Sequence, residues 1–99
     1  MGSMKLESVV AAGDGTHKWK ATFIREDGRK RTTYFGSAGM DDYTLSKNKE
    51  QRDRYRERHR KDLLTNDPTR AGFLSYYVLW GDSTSFKSNL AAYKRRFNL

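Results

Sequence analysis

Ninety-nine residues make room for one domain with one modest hydrophobic core and exclude a catalytic cleft between two domains. Twenty Lys and Arg against 12 Asp and Glu leave a net charge of +8, which implies attraction to polyanions, nucleic acid or an anionic surface, and says nothing of fold. The lack of cysteine excludes a disulfide framework, a thiolate zinc site and a cysteine nucleophile, and the longest apolar run, "YYVLW" at 76–80, is far short of the ~20 residues of a membrane-spanning helix.

The leading "MGSM" reads as a vector scar ending in a native start at Met4, which leaves residues 5–99 as a single compact domain with no signal-peptide core and no membrane segment. Low hydrophobicity alone would suit disorder, but 13% aromatic residues predict a packed core, because disordered chains are poor in them. "LESVVAA" (6–12), closed by "GDG", is a candidate strand. In "HKWKATFI" (17–24) Trp19, Ala21 and Phe23 alternate with Lys18, Lys20 and Thr22, the pattern of a half-buried strand. Asp27-Gly28 tolerates positive φ and predicts a hairpin to "RKRTTYF" (29–35), with Phe35 joining Trp19 and Phe23 beneath whatever covers the sheet.

From Gly36 a loop leads to Thr44 or Ser46, either of which can cap the charged segment that follows. In "TNDP", Asp67 can cap and Pro68 can open a helix over 69–80 that is apolar nearly all round, hence buried, with Gly81 stopping it. Asp82 or Ser83 then caps an amphipathic helix whose apolar face is Phe86, Leu90, Tyr93 and Phe97. The predicted architecture is α+β: a small antiparallel sheet of two or three N-terminal strands followed by three helices.

In "RDRYRERHRK" (52–61) basic residues dominate, and an advance of about 100° per residue resolves them into two stripes, one of Arg52, Arg56 and Arg60 and one of Arg54 and Arg58. Glu50, Asp53 and Glu57 form an acidic stripe opposite Tyr55 and His59, so the aromatic stripe alone is expected to dock on the core. Pairs Glu50–Arg54, Glu57–Lys61 and Asp53–Arg56 would offset part of the charge. Eight basic against four acidic residues over 47–62 still leave an excess, so this is either a solvated helix or a polyanion-binding one. The hairpin favours the second, because Lys18, Lys20, Arg29, Lys30 and Arg31 sit on or beside it with Tyr34 nearby, a combination suited to phosphate contact and base stacking, though Tyr34 also fits a packed strand position.

The candidate nucleic-acid contacts are therefore Lys18, Lys20, Lys30 and Arg31 on the hairpin, Arg52, Arg54, Arg56, Arg58 and Arg60 on the helix, and Lys94, Arg95 and Arg96 near the end. The two helical stripes diverge by more than about 100°, so at most one can join the hairpin in a main surface. Clustered Lys and Arg bind the backbone without reading bases, and nothing matches a zinc finger, an RNP signature or a basic zipper. His17 and His59 lie in unrelated elements, "GSAG" lacks the Lys and Ser/Thr of a phosphate loop, and the adjacent Asp41 and Asp42 fit favourable charges before a helix. No enzyme activity, metal or other cofactor is expected.

"YFGSAGMDDYT", "RDRYRERHRK", "DPTRAGFLSYYVLW" and "YKRRF", in that order across 19–97, resemble a family of short uncharacterised proteins encoded by large nucleocytoplasmic DNA viruses, the giant viruses of algae and amoebae. The resemblance brings no activity, cofactor or catalytic residue. It implies a viral product of the virion or the infected host cytoplasm, with DNA expected ahead of RNA as the polyanion. The resulting expectation is a sequence-independent nucleic-acid-binding protein in genome packaging or compaction. Its rival is a virion-internal interaction or structural module, with acidic virion proteins as partners and an exposed aromatic patch around Tyr76, Tyr77 and Trp80.

Overall fold

The computed structural model describes residues 4–99: three antiparallel strands, then a layer of helices. β1 spans Met4–Ala11, β2 His17–Arg25 and β3 Lys30–Ser37, with β2 in the centre. The vector-scar reading of the first three residues lies outside the described residues, and Met4 opens β1. Strand alternation decides which side chains go inside. Leu6 lies opposite Phe23, Val9 opposite Ala21, and Phe35 opposite Trp19, which puts the apolar residues on one face. Leu6 and Val9 are an odd number of positions apart and still share that face because the register shifts between Leu6 and Ser8, where a β-bulge makes Glu7 the extra residue.

Local chemistry closes both turns. Gly28 takes φ 87°, the left-handed region that glycine enters without steric cost, and Asp27 accepts from the N–H of Arg29. In the β1–β2 turn the Asp14 carboxylate accepts from the N–H groups of Thr16 and His17 and meets the His17 ring at 2.8 Å.

α1 is a single turn, Tyr43–Ser46, and α2 runs over Lys49–His59 before tightening into 3-10 turns over Arg60–Thr65. The caps are Asp42 and Asn48 rather than Thr44 or Ser46, because Lys47 takes a left-handed φ of 56° and breaks the segment in two. α3 starts at Ala71, later than expected, and its Ala71–Leu74 turn widens into a π turn over Ser75–Leu79. Asp67 does not cap it; its carboxylate bonds the Thr69 N–H and hydroxyl, while the Pro68 carbonyl accepts from Tyr93 and the Thr69 carbonyl from Thr33. Those backbone groups are thus taken up by tertiary partners before a helix can begin.

α4 covers Phe86–Arg96 and is capped by Ser85, not by Asp82 or Ser83. The core is built from Phe23, Phe35, Phe73, Leu74, Val78, Leu79 and Tyr93, and Trp19 stacks on Phe86 at 4.4 Å. Asn89 is a buried polar residue on the apolar side of α4: its amide donates to the Val78 and Ser83 carbonyls and accepts from the Ser83 N–H, so it terminates α3 from outside. The π turn is followed by Gly81, where only glycine fits because a Cβ would lie 2.2 Å from the Tyr77 carbonyl oxygen. The architecture is α+β, as the alternation and periodicity predict, with one short helix more than the three expected.

Candidate nucleic-acid interface

With the helices packed on the face of Leu6, Ala21, Phe23 and Phe35, the other face of the sheet is uncovered. The register writes it as cross-strand rows: Lys5–Ile24–Lys30, then Ser8–Thr22–Thr32, then Val10–Lys20–Tyr34. Tyr34 is 40% exposed and Val10 47% exposed, so the last row presents an aromatic ring and an aliphatic side chain on either side of the Lys20 stem. Lys5 and Lys20 have no ion-pair partner among the described residues, whereas Lys30 reaches Glu7 at 3.1 Å, on the solvent side. At the β2–β3 turn, Arg25, Arg29, Lys30 and Arg31 line one shallow depression.

The structure separates residues that the sequence groups together. Lys30 and Arg31 are consecutive in a strand and point to opposite faces; the Arg31 charge acts on Asp67 in the helix layer. Burial works against the Asp67 carboxylate, yet its bonds from Thr69, with Arg31 and Arg70 nearby, hold it below the usual range. Lys18 is drawn in. Its ammonium pairs with the buried Asp42 carboxylate at 2.6 Å, so its charge is neutralised inside the fold.

On α2 the expected division of labour fails. Tyr55 does dock, stacked on Trp80 at 4.4 Å, but Arg52 is buried beside it. The Arg52 guanidinium bonds Asp53 and lies 4.9 Å from the Tyr43 ring centre, and Arg56 donates to the Trp80 carbonyl at 2.7 Å and to Asp82 at 3.0 Å. The supposed solvent stripe is therefore half of the docking face, because guanidinium groups can satisfy carbonyls that no aliphatic side chain could. The three anticipated ion pairs do not form among the described residues; Glu57 pairs with Arg60 at 2.8 Å and Asp53 with Arg52. Arg54 and Arg58 are exposed and have no internal partner among the described residues. His59 stacks on Tyr55 and meets Asp62 at 3.0 Å, half in and half out of solvent.

Lys94, Arg95 and Arg96 occupy the last turn of α4, where cations complement the helix dipole, and belong to the helix layer on the far side of the sheet. Arg96 lies over Tyr77 at 4.9 Å. Of the twelve sequence candidates, Lys20 and Lys30 stand on the uncovered face with Arg31 at its edge, while Lys18, Arg52 and Arg56 are used to hold the fold. Lys5 and Arg25 are absent from that list and present at this surface. Their signal lay in register, since Lys5 lines up with Lys30 only after the Glu7 bulge is known.

Among the described residues no helix is long and apolar enough to cross a membrane. Residues 8–59, from Ser8 in β1 to the last residue of α2, match the model of a protein family whose description is Family of unknown function (DUF5754). No curated protein and no solved structure matches the chain.

Proposed function

We propose that this chain, which belongs to the DUF5754 family of unknown function, binds nucleic acid without sequence preference through the uncovered face of its sheet. The observation that carries this reading is the set of rows on one uncovered face, in which Lys20 stands beside the exposed Tyr34 and, two rows on, Lys5 and Lys30 lead to Arg25 and Arg29 at the hairpin turn. Ammonium groups on flexible stems neutralise phosphates as point charges, and an exposed ring stacks on any base, so affinity would be high at low salt and indifferent to sequence. Genome packaging or compaction, in a virion or infected cytoplasm and with DNA ahead of RNA, is supported by the viral resemblance of the sequence.

The rival, docking of acidic virion proteins through an aromatic patch, draws less support. Trp80 is buried, and Arg56 and Arg96 lie over the rings of Tyr76 and Tyr77. Exposed large apolar side chains are spread over β1, β3, the loop at Met40, α1 and the 3-10 tail of α2, not gathered on α3.

Fluorescence anisotropy with a random-sequence duplex and a random single strand, each at several salt concentrations, tests the proposal. Micromolar or tighter binding at low salt is expected, and the Lys5→Ala, Lys20→Ala, Lys30→Ala triple variant should lose most of it. A Lys94→Ala, Arg95→Ala control should bind as the wild type does. No binding at low salt, or a triple variant that binds normally, overturns it.

A further inference from the structure

The middle row of the uncovered face, Ser8–Thr22–Thr32, consists of hydroxyl side chains alone. Thr33, on the inner face of the same strand, donates to the Thr69 carbonyl, whereas the hydroxyls of Ser8, Thr22 and Thr32 have no hydrogen-bond partner among the described residues. Each can donate to a phosphate oxygen or accept from a base. On one side of this row stand Val10, Lys20 and Tyr34, and on the other Lys5, Ile24 and Lys30, whose ammonium Glu7 shares. From Lys20 to Arg25 along β2 is roughly 17 Å, whereas the three strands are only about 10 Å across. The face is a short track that runs along the strands.

Both ends of the track are marked. At the hairpin turn it closes on the exposed Arg25 and Arg29. At the other end the His17 ring stands 5.6 Å from the Tyr34 ring and tilted by 43°, with the Asp14 carboxylate at 2.8 Å from it. One base cannot lie flat on two rings at that tilt, so the 40% exposed Tyr34 is the stacking surface and His17 its border. Asp14 would repel a phosphate carried past that border. The track itself is open to solvent: Lys5, Lys30, Thr32 and Tyr34 are exposed, and Lys20 and Thr22 are partly so.

A ring standing on an open sheet needs a base with a free face. Inside a duplex every base is stacked on both sides and its edges lie at the floor of grooves about 7.5–8.5 Å deep, so Tyr34 would meet sugar and phosphate only. An unpaired base offers its whole face, and a base stacked on an aromatic side chain raises affinity at least about fivefold. We infer that the ligand of this face is a single strand rather than a duplex, held over about four nucleotides. One base lies on Tyr34, the backbone runs over Lys20 and the hydroxyl row, a second base rests on Ile24 between Lys5 and Lys30, and the last phosphate reaches the hairpin turn.

This assignment rests on the nucleic-acid reading of the sheet face and narrows its ligand. Four nucleotides is at the short end of the roughly 4–16 covered by one single-strand-binding OB fold, so a longer strand would be covered by several copies of the chain side by side. DNA and RNA strands bring the same phosphates and unpaired bases to the track, and the test carries both.

Competition anisotropy with the full chain tests the inference. The probes are oligothymidylate and oligouridylate strands of two, four, eight and twelve nucleotides, which do not pair with themselves, an abasic strand of four with the same phosphates, and a twelve-base-pair duplex. Affinity should rise steeply up to about four nucleotides, and beyond that only with the number of places to bind. The abasic strand should bind at least about fivefold more weakly than thymidylate of its length, and the duplex at least about fivefold more weakly than the strand of twelve. Tyr34→Ala should abolish the advantage of the base-bearing strand and Tyr34→Phe should keep it, both with native amide spectra. In ¹H–¹³C aromatic spectra of the wild type the thymidylate strand of four should move the Tyr34 ring signals, and the abasic strand should not. Whichever sugar binds more tightly identifies the source of the strand. A duplex that binds as tightly as the strand, or an abasic strand that binds as tightly as a base-bearing one, means that the face meets phosphates alone, which overturns the inference while nucleic-acid binding stands. If no probe binds at low salt, both fall.

Discussion

Asp42 is 2% exposed and accepts from the Thr44 N–H, the Thr44 hydroxyl and the Lys18 ammonium. Removing one partner of a buried pair leaves the other charged and unsatisfied, so Asp42→Ala is expected to cost about 3–5 kcal/mol, measured as a fall in the urea midpoint. Asp42→Asn, which keeps an oxygen for the cap, should cost less. Tyr93 offers a pH-dependent test. Burial, with the Asp67 carboxylate and Tyr77 near it, pushes its hydroxyl well above the ordinary value of 10.0, and that hydroxyl donates to Pro68. The unfolded chain ionises this group near pH 10 and the folded one does not, so its contribution is complete below pH 10 and declines above it. Tyr93→Phe should cost about 1 kcal/mol at neutral pH and flatten the alkaline arm of a stability curve, with Tyr55, also raised by burial, supplying what slope is left. Asp14 works in the other direction. Bonds from the His17 N–H and ring and the Thr16 N–H lower its carboxyl to about 2, so its help to the β1–β2 turn is present above its ordinary 3.8 and disappears as pH falls through 2.

Among the elements, α2 separates what a sequence can say from what it cannot. Two arginine stripes are visible on a helical wheel, but the wheel gives angles within the helix and not the angle at which the helix meets the core. That angle is set by the Trp80 carbonyl and Asp82, about thirty residues away, which take the Arg52 and Arg56 guanidiniums. The stripes should therefore differ in stability effect. Arg56→Ala is expected to cost about 1.5–3 kcal/mol by thermal or urea denaturation, and Arg54→Ala to stay within about 0.5 kcal/mol of wild type. Equal effects would contradict the docking geometry. The strands were legible for the opposite reason: Trp19, Ala21 and Phe23 encode their own burial by alternation, and Asp27-Gly28 encodes its own turn. Caps were misplaced by a few residues, as Asp42, Asn48 and Ser85 compete with near neighbours of the same chemistry. Gly81 was legible as a stop but not as a contact, because its closeness to Tyr77 exists only once the π turn has formed.

For the molecule as a whole, the question is whether a net charge of +8 acts as a diffuse field or through a few placed groups. A diffuse field depends on total charge, so any removed cation would weaken binding alike. Placed groups release counterions one phosphate at a time, and the salt slope counts them, at about −0.7 per phosphate for a single strand and −0.9 for a duplex. The uncovered face offers Lys5, Lys20 and Lys30, with Arg25 and Arg29 at its end, and Glu7 and Asp27 already share Lys30 and Arg29. The expected single-strand slope is therefore about −2 to −3.5, well below what the full set of cations would produce. Lys20→Ala should bring the slope closer to zero by about 0.7 on a single strand, whereas Lys94→Ala on α4 removes the same charge and should leave it unchanged. Tyr34→Ala should weaken binding at every salt concentration by a constant factor, since stacking releases no counterions. An equal response to Lys20→Ala and Lys94→Ala would return the charge to the role of a general field, and would mean that the rows of the sheet do not meet the strand.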